Sequence, residues 1–229
     1  MCRGVLLVAA LVTHALGDTT DLFAASRSKP NIVLILADDV GYECFGCYGS
    51  QQYSTPHIDR MAAQGIRFQH CYSQPLCTPS RVKLMTGLSN VRNYSAFSIL
   101  NRDQRTFGHL LSEAGYKTFV GGKWQLLGAD SYSTQFRGKG SLPDHAGFDS
   151  WCLWQVDKLG ERYWNPLLNI NGENRQFEAD DYGPEIVTDH ILRFMEENRD
   201  GPFFVYYPMI LVHNPFLPTP FSKSRRAIA

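Results

Sequence analysis

The sequence predicts a layered α/β fold with a largely parallel central sheet flanked by helices. Three patterns carry that prediction. Residues 31–37, Asn-Ile-Val-Leu-Ile-Leu-Ala, form a continuous apolar run rich in β-branched side chains between Pro30 and Asp38, the pattern of a strand covered on both faces. Strand-like and helix-like patterns then alternate along the chain, an order that builds parallel sheets with helices packed on them. Toward the far end an amphipathic stretch at 184–198 leads directly into the apolar run 202–208.

Composition permits such a core. At 229 residues, 44% hydrophobic and 19% charged, the chain reads as globular, with one domain as the default. A formal net charge of zero removes any bulk electrostatic case for nucleic acid or an anionic membrane as partner. Residues 1–17 combine Arg3, an apolar run from Val5 to Val12, and small Ala15 and Gly17, the pattern of a secretory signal peptide too short to span a bilayer. Residues 18–28 read as a polar linker, and 29–229 as the folded domain. No other segment is long and apolar enough for a membrane span, so the expectation is an exported protein, periplasmic or secreted. Of six cysteines, Cys2 lies in the signal pattern, leaving Cys44, Cys47, Cys71, Cys77 and Cys152, an odd number. Cys44 and Cys47 have metal-site spacing but no second pair, so they read as small packing residues. The basic Lys223, Arg225 and Arg226 read as a solvated tail.

Each element has its own local signal. Asp38 and Asp39 follow the first strand at its carboxyl end, the edge where open α/β sheets bind ligands. Adjacent carboxylates repel, and a hard divalent metal resolves the repulsion; a solvated turn is the plainer alternative. Thr55, Pro56 and Gly65 bracket a short helix with Ile58, Met61 and Ala62 on one face, and His57 reads as a surface or capping residue. Residues 66–72 alternate as a strand does. Thr78 as N-cap, Pro79 at the first helical position and Gly87 as stop then predict a short helix with Cys77 at its mouth. Such a mouth attracts anions, and Arg81 adds a charged fork for a tetrahedral oxyanion. An ordinary buried thiol is the plainer reading of Cys77.

Asn93-Tyr94-Ser95 has the form of a glycosylation sequon. Residues 106–115 predict a capped helix with Phe107, Leu110, Leu111 and Ala114 inward, and 116–121 a strand that delivers Lys123 to its carboxyl edge. Residues 129–140 read as a surface loop. Trp151, Trp154, Tyr163 and Trp164 line a sugar or aryl pocket or fill the core, since aromatics carry large apolar area either way. The helix at 184–198 uses Val187, Ile191, Phe194 and Met195. His213 comes just past the strand at 202–208, where another active-site loop is expected.

Together these strings resemble the type I, formylglycine-dependent sulfatases of the alkaline-phosphatase-like superfamily. Cys77-Thr78-Pro79-Ser80-Arg81 is similar to their maturation signature, and Ala37-Asp38-Asp39-Val40-Gly41 to their first metal-binding motif. Thr-Pro-His-Ile-Asp-Arg at 55–60, Gly122-Lys123-Trp124, Gly147-Phe148-Asp149 and the His-x-Pro at 213–215 resemble further family strings. The resemblance implies an alkaline-phosphatase-like fold and hydrolysis of sulfate esters, with sulfated carbohydrate among the substrates. It implies calcium, or magnesium, on Asp38, Asp39 and the converted Cys77, and a 3-oxoalanine (formylglycine) made from Cys77 by a sulfatase-maturing enzyme that reads Cys77, Pro79, Ser80 and Arg81. It implies Lys123 and Arg81 on the sulfate and His213 as general acid. One position departs from the family pattern. Where a histidine contacts the formylglycine hydroxyl, this chain has Gln125, which forms hydrogen bonds but accepts no proton near neutral pH, so in release of sulfate either another base serves, directly or through water, or turnover is slow.

The resemblance covers nearly all of 29–229, the amino-terminal portion of a family member. A complete sulfatase continues with an Asp-Asn-Gly type segment, further metal ligands, a second lysine and a smaller domain. The expectation is therefore a catalytic domain incomplete at its carboxyl end, with a bare apolar sheet edge and impaired activity. Two other readings stay open: a phosphatase or phosphonate monoester hydrolase of the same superfamily, and a non-catalytic protein that binds sulfated glycans.

Overall fold

The computed structural model describes residues 29–129 and 134–222. The signal-peptide and linker readings, the basic tail and part of the 129–140 loop lie outside the described residues.

The sheet has six strands: β1 (Ile32–Leu36), β2 (Lys117–Lys123), β3 (Ser150–Trp154), β4 (Leu167–Ile170), β5 (Glu173–Gln176) and β6 (Phe203–Pro208). Their order is β1-β6-β2-β3-β4-β5. The first four in that order run parallel, and β4 and β5 are antiparallel. In register, Leu34 lies opposite Tyr206, Phe119 opposite Val205, and Lys123 opposite Trp154. Helices cover both faces, as the alternating pattern predicts. On one face α2 (Cys77–Thr86) supplies Val82 and Met85, and α4 (Phe107–Glu113) supplies Phe107, to a core with Trp124, Phe148 and Tyr206. On the other, α5 (Gly183–Glu197) lays Val187, Ile191 and Phe194 against Phe119, Trp154 and Val205.

Several local readings hold. Thr106 caps α4 in a capping box with His109, and Gly87 closes α2 in the left-handed region at φ 67°. Others need correction. The strand β1 is not covered on both faces: it lies at the sheet edge beside β6 alone, and Val33 and Ile35 are 43% and 55% exposed. An apolar run alone does not tell a buried central strand from an edge strand. Residues 66–72 form no strand: among the described residues none pairs with them in a ladder, and Ile66, Phe68 and Tyr72 are exposed. The helix α1 (Pro56–Gln64) forms as predicted, but Ile58 and Met61 face outward, and it packs instead on a 3-10 turn at Gly46–Tyr48 through Asp59, which accepts from the Cys47 N–H at 2.7 Å. Leu110 and Ala114 of the α4 region are also exposed.

In α2 the N-cap position falls at Leu76 rather than Thr78, whose hydroxyl accepts from the Ser98 N–H at 3.1 Å. The sequon is occupied otherwise: Asn93, in the short α3 (Asn90–Asn93), is buried and its amide donates to Thr86 Oγ1 at 2.7 Å and Leu88 O at 3.1 Å. The β4–β5 hairpin was not read from the sequence, although Asn171-Gly172 between two short runs is a strong hairpin signal; both residues have positive φ, at 50° and 97°. Trp154 and Tyr163 are buried, and Trp151 and Trp164 pack against the two cores, so the aromatic run belongs to the core.

Candidate active site

Sheet order decides which sequence motifs meet. With β6 between β1 and β2, the carboxyl ends of all three strands lie side by side, and α2 begins above them. A cavity of about 160 Å³ opens there, lined by Asp38, Asp39, Cys77, Ser80, Arg81 and Lys123 among others.

The chain leaving β1 is laced to the chain leaving β6. Met209 N–H donates to Leu36 O at 2.8 Å, Asp38 N–H to Leu211 O at 2.9 Å, and Val212 N–H to Asp38 O at 2.8 Å. Asp39 then adopts φ 58°, in the left-handed region that an aspartate tolerates better than most residues. The two neighbouring carboxylates consequently part. Asp38 is buried, whereas the Asp39 side chain is largely exposed and faces His213, with Nε2 3.5 Å from Oδ2.

Lys123 is the last residue of β2 and only 1% exposed. Its Nζ lies 2.6 Å from Asp38 Oδ2 and 3.4 Å from Cys77 Sγ. A buried ammonium needs such a partner, since desolvation without one is costly. Gln125 follows at φ 46° and brings Oε1 to 3.7 Å from the same sulfur. Cys77 itself is the first residue of α2, where backbone N–H groups lack partners within the helix. Ser80 shapes the approach: its hydroxyl accepts from Gln74 N–H at 3.0 Å and lies 2.8 Å from Leu76 O. Pro79 sits within the first turn, where its missing N–H breaks no helical bond.

Arg81 is 2% exposed, and its fork is turned to the β2 exit, donating to the carbonyls of Lys123 and Gln125 at 3.3 Å each and to that of Trp124. Its Nε is buried and has no hydrogen-bond partner among the described residues. Arg81 thus fixes the turn that aims Lys123 and Gln125 while lining the cavity. His213 is held through its backbone, whose carbonyl accepts from the Tyr163 hydroxyl, and its Nδ1 lies 3.2 Å from Arg162 Nη1 and 2.9 Å from Asn214 O. Burial raises the Tyr163 phenol, which keeps that hydroxyl a donor. The structure therefore brings together Asp38, Asp39, Cys77, Ser80, Arg81, Lys123 and Gln125, with His213 adjoining through Asp39. Sequence reasoning missed Arg162, which stands in no motif, and read Tyr163 only as one of an aromatic run, without its bond to the His213 carbonyl.

Asp38 and Asp39 suit a hard divalent cation in donor chemistry, and the Lys123 ammonium already stands as the positive partner of Asp38. They fall short in number: calcium takes six to eight oxygens, and among the described residues no three His, Cys, Asp or Glu side chains converge to hold a metal. The five cysteines among the described residues are free thiols.

A buried lysine, adjacent carboxylates and a helix N-terminus meet at the carboxyl edge of a largely parallel sheet, the place and the donor types with which α/β proteins bind anionic ligands. A family model described as Sulfatase matches residues 30–228, and the chain belongs to the sulfatase family, with its alkaline-phosphatase-like fold. It is 34% identical to an N-acetylglucosamine-6-O-sulfatase of Bacteroides thetaiotaomicron over 84% of this chain, and 37% identical to the mouse N-acetylgalactosamine-6-sulfatase over 90%. It covers 32% and 43% of those two relatives, and so spans less than half their length. Among solved structures it superposes, at TM-score 0.72 and 31% identity, on a protein in complex with its substrate D-glucosamine-2-N,6-O-disulfate, over 85% of this chain and 37% of that one. A phosphonate monoester hydrolase of Agrobacterium radiobacter, at TM-score 0.62 and 19% identity over 85% of this chain and 44% of that one, shares the fold.

Proposed function

We propose that this chain carries the nucleophile and anion-binding part of a sulfuric ester hydrolase acting on sulfated saccharides. The observation that carries the reading is the position of Cys77, at the mouth of α2, against the buried Lys123–Asp38 pair. The names of the two saccharide 6-sulfatase relatives support the substrate class.

In this reading a sulfatase-maturing enzyme oxidises Cys77 to formylglycine. The surroundings fit: Lys123 Nζ offers donors and Gln125 an amide to oxygens that replace the sulfur. The hydrated aldehyde supplies one hydroxyl as nucleophile and a second on the same carbon that lets sulfate leave. Lys123 and the α2 N-terminus neutralise the sulfate oxygens. His213 gives a proton to the departing alcohol, histidine being suited to proton transfer near neutral pH. Arg81 acts from beneath, holding the Lys123–Gln125 turn and contributing charge. Gln125 orients without taking a proton. Asp38 and Asp39 would supply part of the oxygen shell of a calcium or magnesium ion, and a bound cation would supply charge to the sulfate oxygens.

The test pairs mass analysis of the Cys77 peptide with turnover of aryl sulfate and aryl phosphate. Expected are loss of the thiol in favour of an aldehyde and faster cleavage of sulfate. Faster phosphate cleavage would move the protein to the phosphatase side of the superfamily. A converted Cys77 without cleavage of either ester, accompanied by glycan binding, would favour a non-catalytic glycan binder.

A further inference from the structure

In-line displacement at a tetrahedral oxyanion sends the leaving oxygen away from the nucleophile. With attack from Cys77 and proton donation from His213, the alcohol part of the substrate extends past His213. On the Nδ1 side of His213, away from the Nε2 that faces Asp39, stands Arg162. Its Nη1 is 3.2 Å from His213 Nδ1, and its guanidinium carbon stands 4.3 Å from the centroid of the Trp154 ring and 5.9 Å from that of Tyr163. Both rings are 3% exposed, so the platform under the guanidinium is fixed by core packing. Among the described residues Arg162 enters no ion pair, and the polar protein group that its guanidinium meets there is His213 Nδ1, through Nη1, which leaves its remaining N–H donors open to a ligand on that side. A stacked guanidinium with open donors matches the planar or tetrahedral oxygens of a second anion, and its charge is not spent on a carboxylate of the protein.

We infer that Arg162 is a specificity-determining residue that binds a second anionic group, carboxylate or sulfate, on the alcohol part of the substrate. The preferred substrates are therefore sulfated saccharides bearing at least two negative groups. This rests on the hydrolase reading above.

The test compares a 6-O-sulfated N-acetylhexosamine with two partners: the 6-O-sulfated hexosamine in which an N-sulfate replaces the N-acetyl group, and the disaccharide of the N-acetylated sugar with a uronic acid. For the unaltered protein, kcat/KM for at least one doubly charged partner should exceed that for the singly charged sugar by about 10- to 100-fold, as befits charge-assisted hydrogen bonds. Arg162→Gln should bring that ratio close to one, chiefly through KM, and Arg162→Lys should keep part of it. Using the ratio cancels any effect on His213, which all the substrates need. A ratio near one in the unaltered protein, or a ratio unchanged in Arg162→Gln, would overturn the inference. The same sugars titrated into Cys77→Ala protein by calorimetry give the ratio as Kd values without turnover. Absent hydrolysis therefore counts against the hydrolase reading alone, while the Kd ratio still decides the role of Arg162.

Discussion

Lys123 and Asp38 are both nearly excluded from water, and their worth is best judged by what happens when one is removed. Lys123→Ala leaves a buried carboxylate without a partner and should destabilise the fold by about 3–5 kcal/mol in urea unfolding. Adding Asp38→Asn should recover much of that loss, because the stranded charge disappears. A single-variant cost below about 1 kcal/mol would show that Asp38 is paired otherwise in solution, for instance with a cation. At Cys77 the expected outcome is kinetic. Cys77→Ser retains one hydroxyl, so its oxygen can displace the alcohol once, forming an O–S bond to serine as the ester S–O bond breaks and the alcohol takes the proton. No second hydroxyl exists to release the sulfate. One equivalent of alcohol without further turnover is the expected trace, and repeated turnover would sink the formylglycine assignment.

Among the elements, β2 leaves no room for a side chain at one of its glycines. Its Gly122 has φ 117°, and a Cβ there would meet Pro208 O of β6 at 2.0 Å, an approach that no side-chain rotation relieves. Gly172, in the β4–β5 turn, has φ 97° but nothing within 4 Å of the same hypothetical atom. Gly172→Ala should therefore cost only the backbone strain, on the order of 1 kcal/mol. Gly122→Ala should cost more than about 2 kcal/mol and displace Lys123, since β2 and β6 must separate. Thermal unfolding together with aryl sulfatase activity checks the pair; equal and small effects would mean that β2 and β6 lie further apart than described. The contrast also separates two kinds of legibility. The Asn-Gly of the hairpin is readable as a turn, whereas nothing in Gly-Gly-Lys announces that a neighbouring strand passes against Gly122.

At the scale of the whole molecule, burial of ionisable groups sets an alkaline limit to stability. Burial pushes the Cys152 thiol, in β3, from 9.0 up to about 12, and the Tyr182 phenol from 10.0 up to about 12. Between those values the unfolded chain has lost protons that the folded chain keeps, so stability falls as pH rises. The contribution is fully present below about pH 9 and lost progressively toward pH 12. Cys152→Ala should flatten the early part of the decline, from about pH 9, in a series of urea midpoints; an unaltered slope would mean that the thiol is accessible in the folded state.

The sequence by itself determined the α/β class, the helix with Cys77 at its mouth, the two carboxylates at a strand end and the lysine at another. These are local: each follows from periodicity, a cap or stop residue, or a short string whose residues are neighbours in the chain. Only the tertiary structure decided that β6 inserts between β1 and β2, because strand order depends on pairings between distant segments. That insertion brings Asp38 to Lys123 and His213 to Asp39. It also decided that β1 is an edge strand, that the aromatic run fills the core, and that Arg81 grips the β2 exit while Arg162 lies on Trp154 beside His213. A side chain's partners across the sheet are fixed by packing, and packing leaves no period in the sequence from which they can be read.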